Sequence, residues 1–129
     1  ETKPQPSFFV ATGVGLAPII SILTSHVPTD TSGKEYILLL GMRFEDDLFW
    51  IDRLDALTKL SPFFSYYITL SRPNINKWKG LRGHVTEHVM HFFVNHTVYI
   101  CGNPKMITDV RLILIKNGLD PKRIHFEIL

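Results

Sequence analysis

One cysteine, Cys101, is all that this 129-residue sequence contains. An internal disulfide is therefore excluded, and a reducing compartment, by default the cytoplasm, is the expected location. Long apolar runs are also missing. The hydrophobic stretches are of strand length, too short to cross a bilayer, so no membrane insertion is expected. The first ten residues, with Pro4 and Pro6 among them, do not resemble a signal peptide. Charge of one sign is scarce too: 14 Lys and Arg against 12 Asp and Glu leave a formal charge of +2, too little to argue for nucleic acid or an anionic membrane as partner. There is no internal repeat and no low-complexity segment. What is present, 45% hydrophobic and 20% charged residues, suits one globular domain with a real core.

Short β-rich runs alternate with segments of helical period. Residues 7–11 (SFFVA), 36–40 (YILLL), 63–71 (FFSYYITLS), 98–101 (VYIC) and 124–127 (IHFE) read as strands. A helix is expected from Ala17, and another from about Glu45 to Lys59, with Trp50, Leu54 and Leu57 on one face and Asp46 and Asp47 complementing its dipole. A third is expected across Val85, Val89 and Phe93, and a fourth, carrying Met106, Val110, Ile113 and Leu114, stops at Gly118. Continuous apolar strands separated by helices mean parallel pairing with both faces covered. The expected fold is thus α/β: a doubly wound sheet of five parallel strands with helices on both faces. Ligand is expected at the carboxyl ends of the strands, where the strand order reverses. Residues 12–18, 71–82 and 101–106 would share that rim.

The first strand runs into Thr12-Gly13-Val14-Gly15-Leu16-Ala17-Pro18. Glycines at 13 and 15 allow a tight turn and a close backbone approach to a pyrophosphate, with a helix N-terminus behind them to face the anion. Pro18 stands near the helix start, where proline is tolerated. A simple strand-to-helix turn explains these residues equally well when they are taken alone. The acidic residue that dinucleotide folds place after the second strand has no counterpart in Gly41-Met42-Arg43. Basic residues gather between Arg72 and Arg82, with Lys77 and Lys79 between them, and a solvated loop is the plain account of that run. His84, His88 and His91 fall at helical spacing that could bind zinc, but no carboxylate or cysteine supports them, and no metal is assigned.

Four motifs in order, Gly13-x-Gly15-x-x-Pro18, Gly41-x-Arg43, Ser71-Arg72 and Cys101-Gly102-Asn103-Pro104-x-Met106, resemble the nucleotide domain of the ferredoxin–NADP reductase superfamily, including oxygenase reductase components. The likeness runs from about Phe8 to the C-terminus. It implies an NAD(P)-binding domain over residues 8–129, preceded at 1–7 by a linker from a flavin-binding domain absent from this sequence. By the same resemblance, Cys101 would pack beside the nicotinamide, near the carbon that gives up hydride, positioning the ring without becoming a nucleophile. Read alone, it is a small buried hydrophobe. Ser71 and Arg72 would take the adenine-side ribose, where a guanidinium can grip a 2′-phosphate, with Lys77, Lys79 or Arg82 as a second cation. NADH-preferring relatives often carry an acidic residue near this position and this sequence has none there, so NADPH is favoured over NADH. Gly80 and Gly83 would shape the return of this loop. Glu127 would lie near flavin and nicotinamide and assist proton movement, unless it is only a surface carboxylate.

Val14 replaces a threonine usual between the glycines, and Leu129 stands where many relatives carry an aromatic that covers the flavin. The function implied is hydride transfer from NAD(P)H to FAD or FMN, then electron transfer to a ferredoxin, an iron–sulfur centre or an oxygenase. The alternative is a nucleotide-binding or partner-docking module without redox activity.

Overall fold

The structure, a computed structural model, describes residues 5–74, 76–93 and 96–128. Most of the expected linker, and Leu129, lie outside them. β1 (Ser7–Thr12) is apolar on both sides because it runs through the middle of the sheet. Phe9 and Ala11 face one layer, Phe8 and Val10 the other. β2 (Tyr36–Met42) pairs with it on one edge and β5 (Thr97–Gly102) on the other, both in parallel. β3 (Phe64–Leu70), β4 (Leu81–Arg82) and β6 (Ile124–Ile128) complete a six-stranded parallel sheet of order β4-β3-β2-β1-β5-β6. The order reverses between β1 and β5, which makes the carboxyl ends of those two strands the switch point.

α1 (Leu16–His26) and α2 (Ile51–Leu60) cover one face; α3 (Pro104–Lys116) covers the other. Leu16, Ile19 and Leu23 of α1 and Leu54 of α2 are fully buried on the first face, as are Val110 and Leu114 of α3 on the second. Each such side chain stabilises the fold by about 1.5–3 kcal/mol relative to exposure.

Three local expectations are corrected. The sheet has six strands, not five: Leu81 and Arg82 pair with Thr69 and Leu70 through the main chain alone, and two residues are too few to show a side-chain period. The helix expected from Glu45 is divided. Asp47 takes the Phe44 N–H onto its carboxylate at 3.2 Å, closing a 3-10 turn over Glu45–Asp47. Trp50 then adopts φ 60°, ψ 20°, a left-handed conformation that no α-helix can pass through, and α2 begins only at Ile51. The helix expected across Val85 and Val89 is likewise two 3-10 turns, Val85–Glu87 and Val89–His91. Both valines are buried against the α3 layer, so their spacing reported the core contact and not the helix type. The three histidines consequently share no helical face, and the His88 ring is held by the Arg82 carbonyl at 2.6 Å.

Candidate functional site

The turn from β1 into α1 uses its two glycines differently. Gly13 has φ +57° and nothing within 4 Å of where a Cβ would stand, so it is the conformation that needs glycine. Gly15 faces inward. A Cβ there would lie 2.1 Å from the Cys101 carbonyl oxygen and 2.9 Å from the Gly102 nitrogen. Its role is to let the start of α1 close onto the end of β5, rather than to clear space for a ligand. Because α1 starts at Leu16, Pro18 is the third helical residue, still within the first turn where its missing N–H costs no intrahelical bond.

A cleft of about 790 Å³ opens at the carboxyl ends of β1, β2 and β3. Among the expected site residues, Thr12, Gly13, Val14, Arg43, Ser71, Asn103 and Met106 line it together. Gly41, Met42, Asp47, Phe49, Gly83, His84, Val85, Thr86, Lys105 and Asp109 line it as well. Asn103 caps α3, its side-chain oxygen accepting the Met106 N–H at 2.8 Å, and Pro104 follows at the first helical position. The Asn-Pro pair therefore starts a helix at the rim. Lys105, one position on, bridges to Asp109 at 3.0 Å from a largely exposed position, a contact stabilising by only about 0.3–0.5 kcal/mol and easily exchanged for a ligand phosphate.

A second cleft of about 660 Å³ adjoins the first through Asp47, which lines both. It holds Arg72 and Lys77 together with Phe44, Glu45, Asp46, Pro73, Asn74 and Trp78. The ends of β2 and β3 are fastened side by side here: the Ser71 N–H donates to the Met42 carbonyl at 3.0 Å and the Arg72 N–H to the Arg43 carbonyl at 2.8 Å. The stretch around Ser71-Arg72 carries no acidic residue of its own, but Glu45, Asp46 and Asp47 share the cleft with Arg72. Glu45 is fastened here by the Asn74 N–H, 29 positions away in sequence and beyond any local window. A signal was nonetheless available, because these carboxylates directly follow β2, the place where dinucleotide folds carry their ribose-binding acid. Arg82 lines neither cleft; its guanidinium donates to the Trp78 carbonyl at 2.8 Å.

Cys101 and Glu127 are direct partners in the parallel ladder of β5 and β6. Burial pushes the Cys101 thiol up from its ordinary pKa, the Glu127 charge adds to the shift, and a backbone hydrogen bond with Glu127 partly opposes it. The side chain is thus a thiol at neutral pH, unsuited to nucleophilic attack. Gly15, Pro18, Cys101, Gly102, Pro104 and Glu127 stand outside the lining of both clefts. Among the described residues no group of three or more His, Cys, Asp or Glu is arranged to hold a metal ion, and no helix is long and apolar enough to cross a membrane.

The family described as oxidoreductase NAD-binding domain matches residues 9–112. Ferredoxin–NADP reductase B of Sorangium cellulosum is 37% identical over 97% of this chain and 54% of its own length. The 2-halobenzoate 1,2-dioxygenase electron transfer component of Burkholderia cepacia is 31% identical over 95% of this chain and 37% of its own. The cytochrome b5 reductase domain of Ulva prolifera nitrate reductase has the same fold, with a TM-score of 0.85 at 21% identity, over 98% of this chain and 49% of that one. The chain spans about half, or less, of the length of these proteins.

Proposed function

This chain belongs to the oxidoreductase NAD-binding domain family, within the ferredoxin–NADP reductase superfamily, and on that premise we propose that it holds NAD(P)H for hydride transfer to a flavin carried by another domain of the same polypeptide. The observation that carries this reading is the meeting, at one switch-point rim, of the Gly13 turn, the strand ends bearing Arg43 and Ser71, and the capped start of α3.

The residues fit such a ligand. The two clefts, of about 790 and 660 Å³ and sharing Asp47, are of the size of cofactor sites, and the turn at Gly13 leaves open space where a side chain would otherwise project. The Thr12–Val14 backbone and the first turn of α1 would face the pyrophosphate, with Lys105 near enough to exchange Asp109 for a phosphate oxygen. Ser71 from the first cleft, with Arg72 and Lys77 from the second, would take the adenine-side ribose and a 2′-phosphate, which would make NADPH a substrate alongside NADH. Cys101 would back the nicotinamide ring as an uncharged thiol, with Glu127 opposite it as the carboxylate available for proton movement. Bound there, the dihydronicotinamide supplies the hydride, and the chain contributes position and charge complementarity.

In the whole protein, electrons would pass from flavin to a ferredoxin, an iron–sulfur centre or an oxygenase, in a cytoplasmic setting that suits a reduced Cys101. Stopped-flow mixing of the flavin-loaded intact polypeptide with NADPH tests this. Rapid bleaching of the flavin is expected; a flavin that stays oxidised with saturating NADPH and NADH would refute it.

A further inference from the structure

The cleft that offers Arg72 and Lys77 to a ligand also contains a carboxylate fastened to the main chain. Glu45 Oε1 and Oε2 both accept the Asn74 N–H, each at 3.1 Å. The attachment begins where the β2–β3 pairing has just ended at Arg43 and Arg72, so Glu45 extends that ladder by one side-chain contact and sits at a fixed place beside it. Neither Arg72 nor Lys77 has a carboxylate partner among the described residues. The positive and negative groups thus line one cleft without neutralising each other in an ion pair.

That arrangement treats two ligands differently. A ribose 2′-hydroxyl can donate a hydrogen bond to a carboxylate, which is how acidic residues after the second strand favour NAD in dinucleotide folds. A 2′-phosphate carries about −1.5 to −2 charge and is repelled by the same group. Glu45 lies three residues past the end of β2 at Met42, the same topological place.

We propose that Glu45 is a specificity-determining residue, holding a negative charge beside Arg72 and thereby restraining the preference of this cleft for 2′-phosphorylated nucleotides. The inference rests on the reading of this rim as the nucleotide site. Arg72 draws a 2′-phosphate in, Glu45 opposes it, and the chain accepts the hydroxyl and phosphate forms with less discrimination than Arg72 alone would give.

Calorimetric titration of the chain with adenosine 2′,5′-bisphosphate and with 5′-AMP tests it, using the wild type, Glu45→Gln, Glu45→Ala and Arg72→Ala, each checked for folding by thermal melting. Gln keeps an oxygen for the Asn74 N–H and removes only the charge. Glu45→Gln should raise the bisphosphate-to-AMP affinity ratio about tenfold at low salt, and less at high salt, as expected for a charge effect. Glu45→Ala should raise the ratio too, whereas a purely structural role would lower both affinities together. A ratio unchanged or lowered in both Glu45 variants overturns the inference. If Arg72→Ala still selectively loses the bisphosphate in that case, the nucleotide site stands and only the role of Glu45 falls. If no protein in the series binds either ligand, both fall.

Discussion

A Cβ atom on Gly15 would stand 2.1 Å from the carbonyl oxygen of Cys101, so the two most recognisable motifs of the chain are one packing unit. Backbone meets backbone here, and neither side can yield by turning a side chain. Gly15→Ala should therefore destabilise the fold by about 1–3 kcal/mol or more. Gly13→Ala meets no neighbour and suffers only from its φ of +57°, at a cost of about 1–2 kcal/mol. Urea denaturation of both variants should rank Gly15→Ala as the less stable; the reverse order would contradict the packing account.

Arg72 lies in the cleft with Lys77, exposed and without a carboxylate partner among the described residues. Arg72→Ala should weaken NADP(H) by about 10- to 100-fold, the strength of a charged hydrogen bond to phosphate, and NAD(H) much less. Equal losses for the two nucleotides, or none, would remove the 2′-phosphate assignment.

Cys101→Ala, made in the intact flavin-bearing polypeptide, should slow flavin reduction more than it weakens nucleotide binding. Since burial raises its thiol pKa, wild-type Cys101 should also react with iodoacetamide more slowly than a free thiol at neutral pH. A variant with a normal hydride-transfer rate would eliminate the positioning role.

Acid sensitivity has a specific source away from the clefts. Asp30 accepts hydrogen bonds from the Ser32 hydroxyl, the Tyr36 hydroxyl and the Ser32 N–H, and its pKa drops from 3.8 to about 2. These bonds fasten the loop after α1 to the start of β2. A carboxyl with a depressed native pKa stabilises the fold above its unfolded value and loses that contribution as pH falls through the native one. Melting temperature should thus drop between 3.8 and about 2, and Asp30→Asn should flatten that part of the profile. An unaltered acid limb in Asp30→Asn would assign the sensitivity to other groups.

Much of the fold was legible because the central strands are buried on both sides. Residues 8–11 and 37–40 are apolar throughout, and the turn at Gly13 closes the first of these runs clearly. What escaped was decided by single side chains acting on the backbone. Asp47 and Glu87 each capture a nearby N–H and wind 3-10 turns where a hydrophobic period alone suggests an α-helix. The β4 strand exists through main-chain pairing that no two-residue pattern can announce. The residues that the motifs named at Thr12, Ser71 and Asn103 line the first cleft. Glu45 was marked only by its place after β2, and its contact with Asn74 could not be read, because the two become neighbours only when β2 and β3 lie side by side.

The central claim, that a pyridine nucleotide binds across the switch-point rim, is tested most directly by amide NMR of this chain during titration with NADP⁺. Shifts should concentrate at Thr12–Gly15, Arg43–Asp47, Ser71–Asn74 and Asn103–Met106, with β4 and the outer face of α2 unmoved. No shifts at saturating nucleotide, or shifts gathered away from these strand ends, would contradict the account.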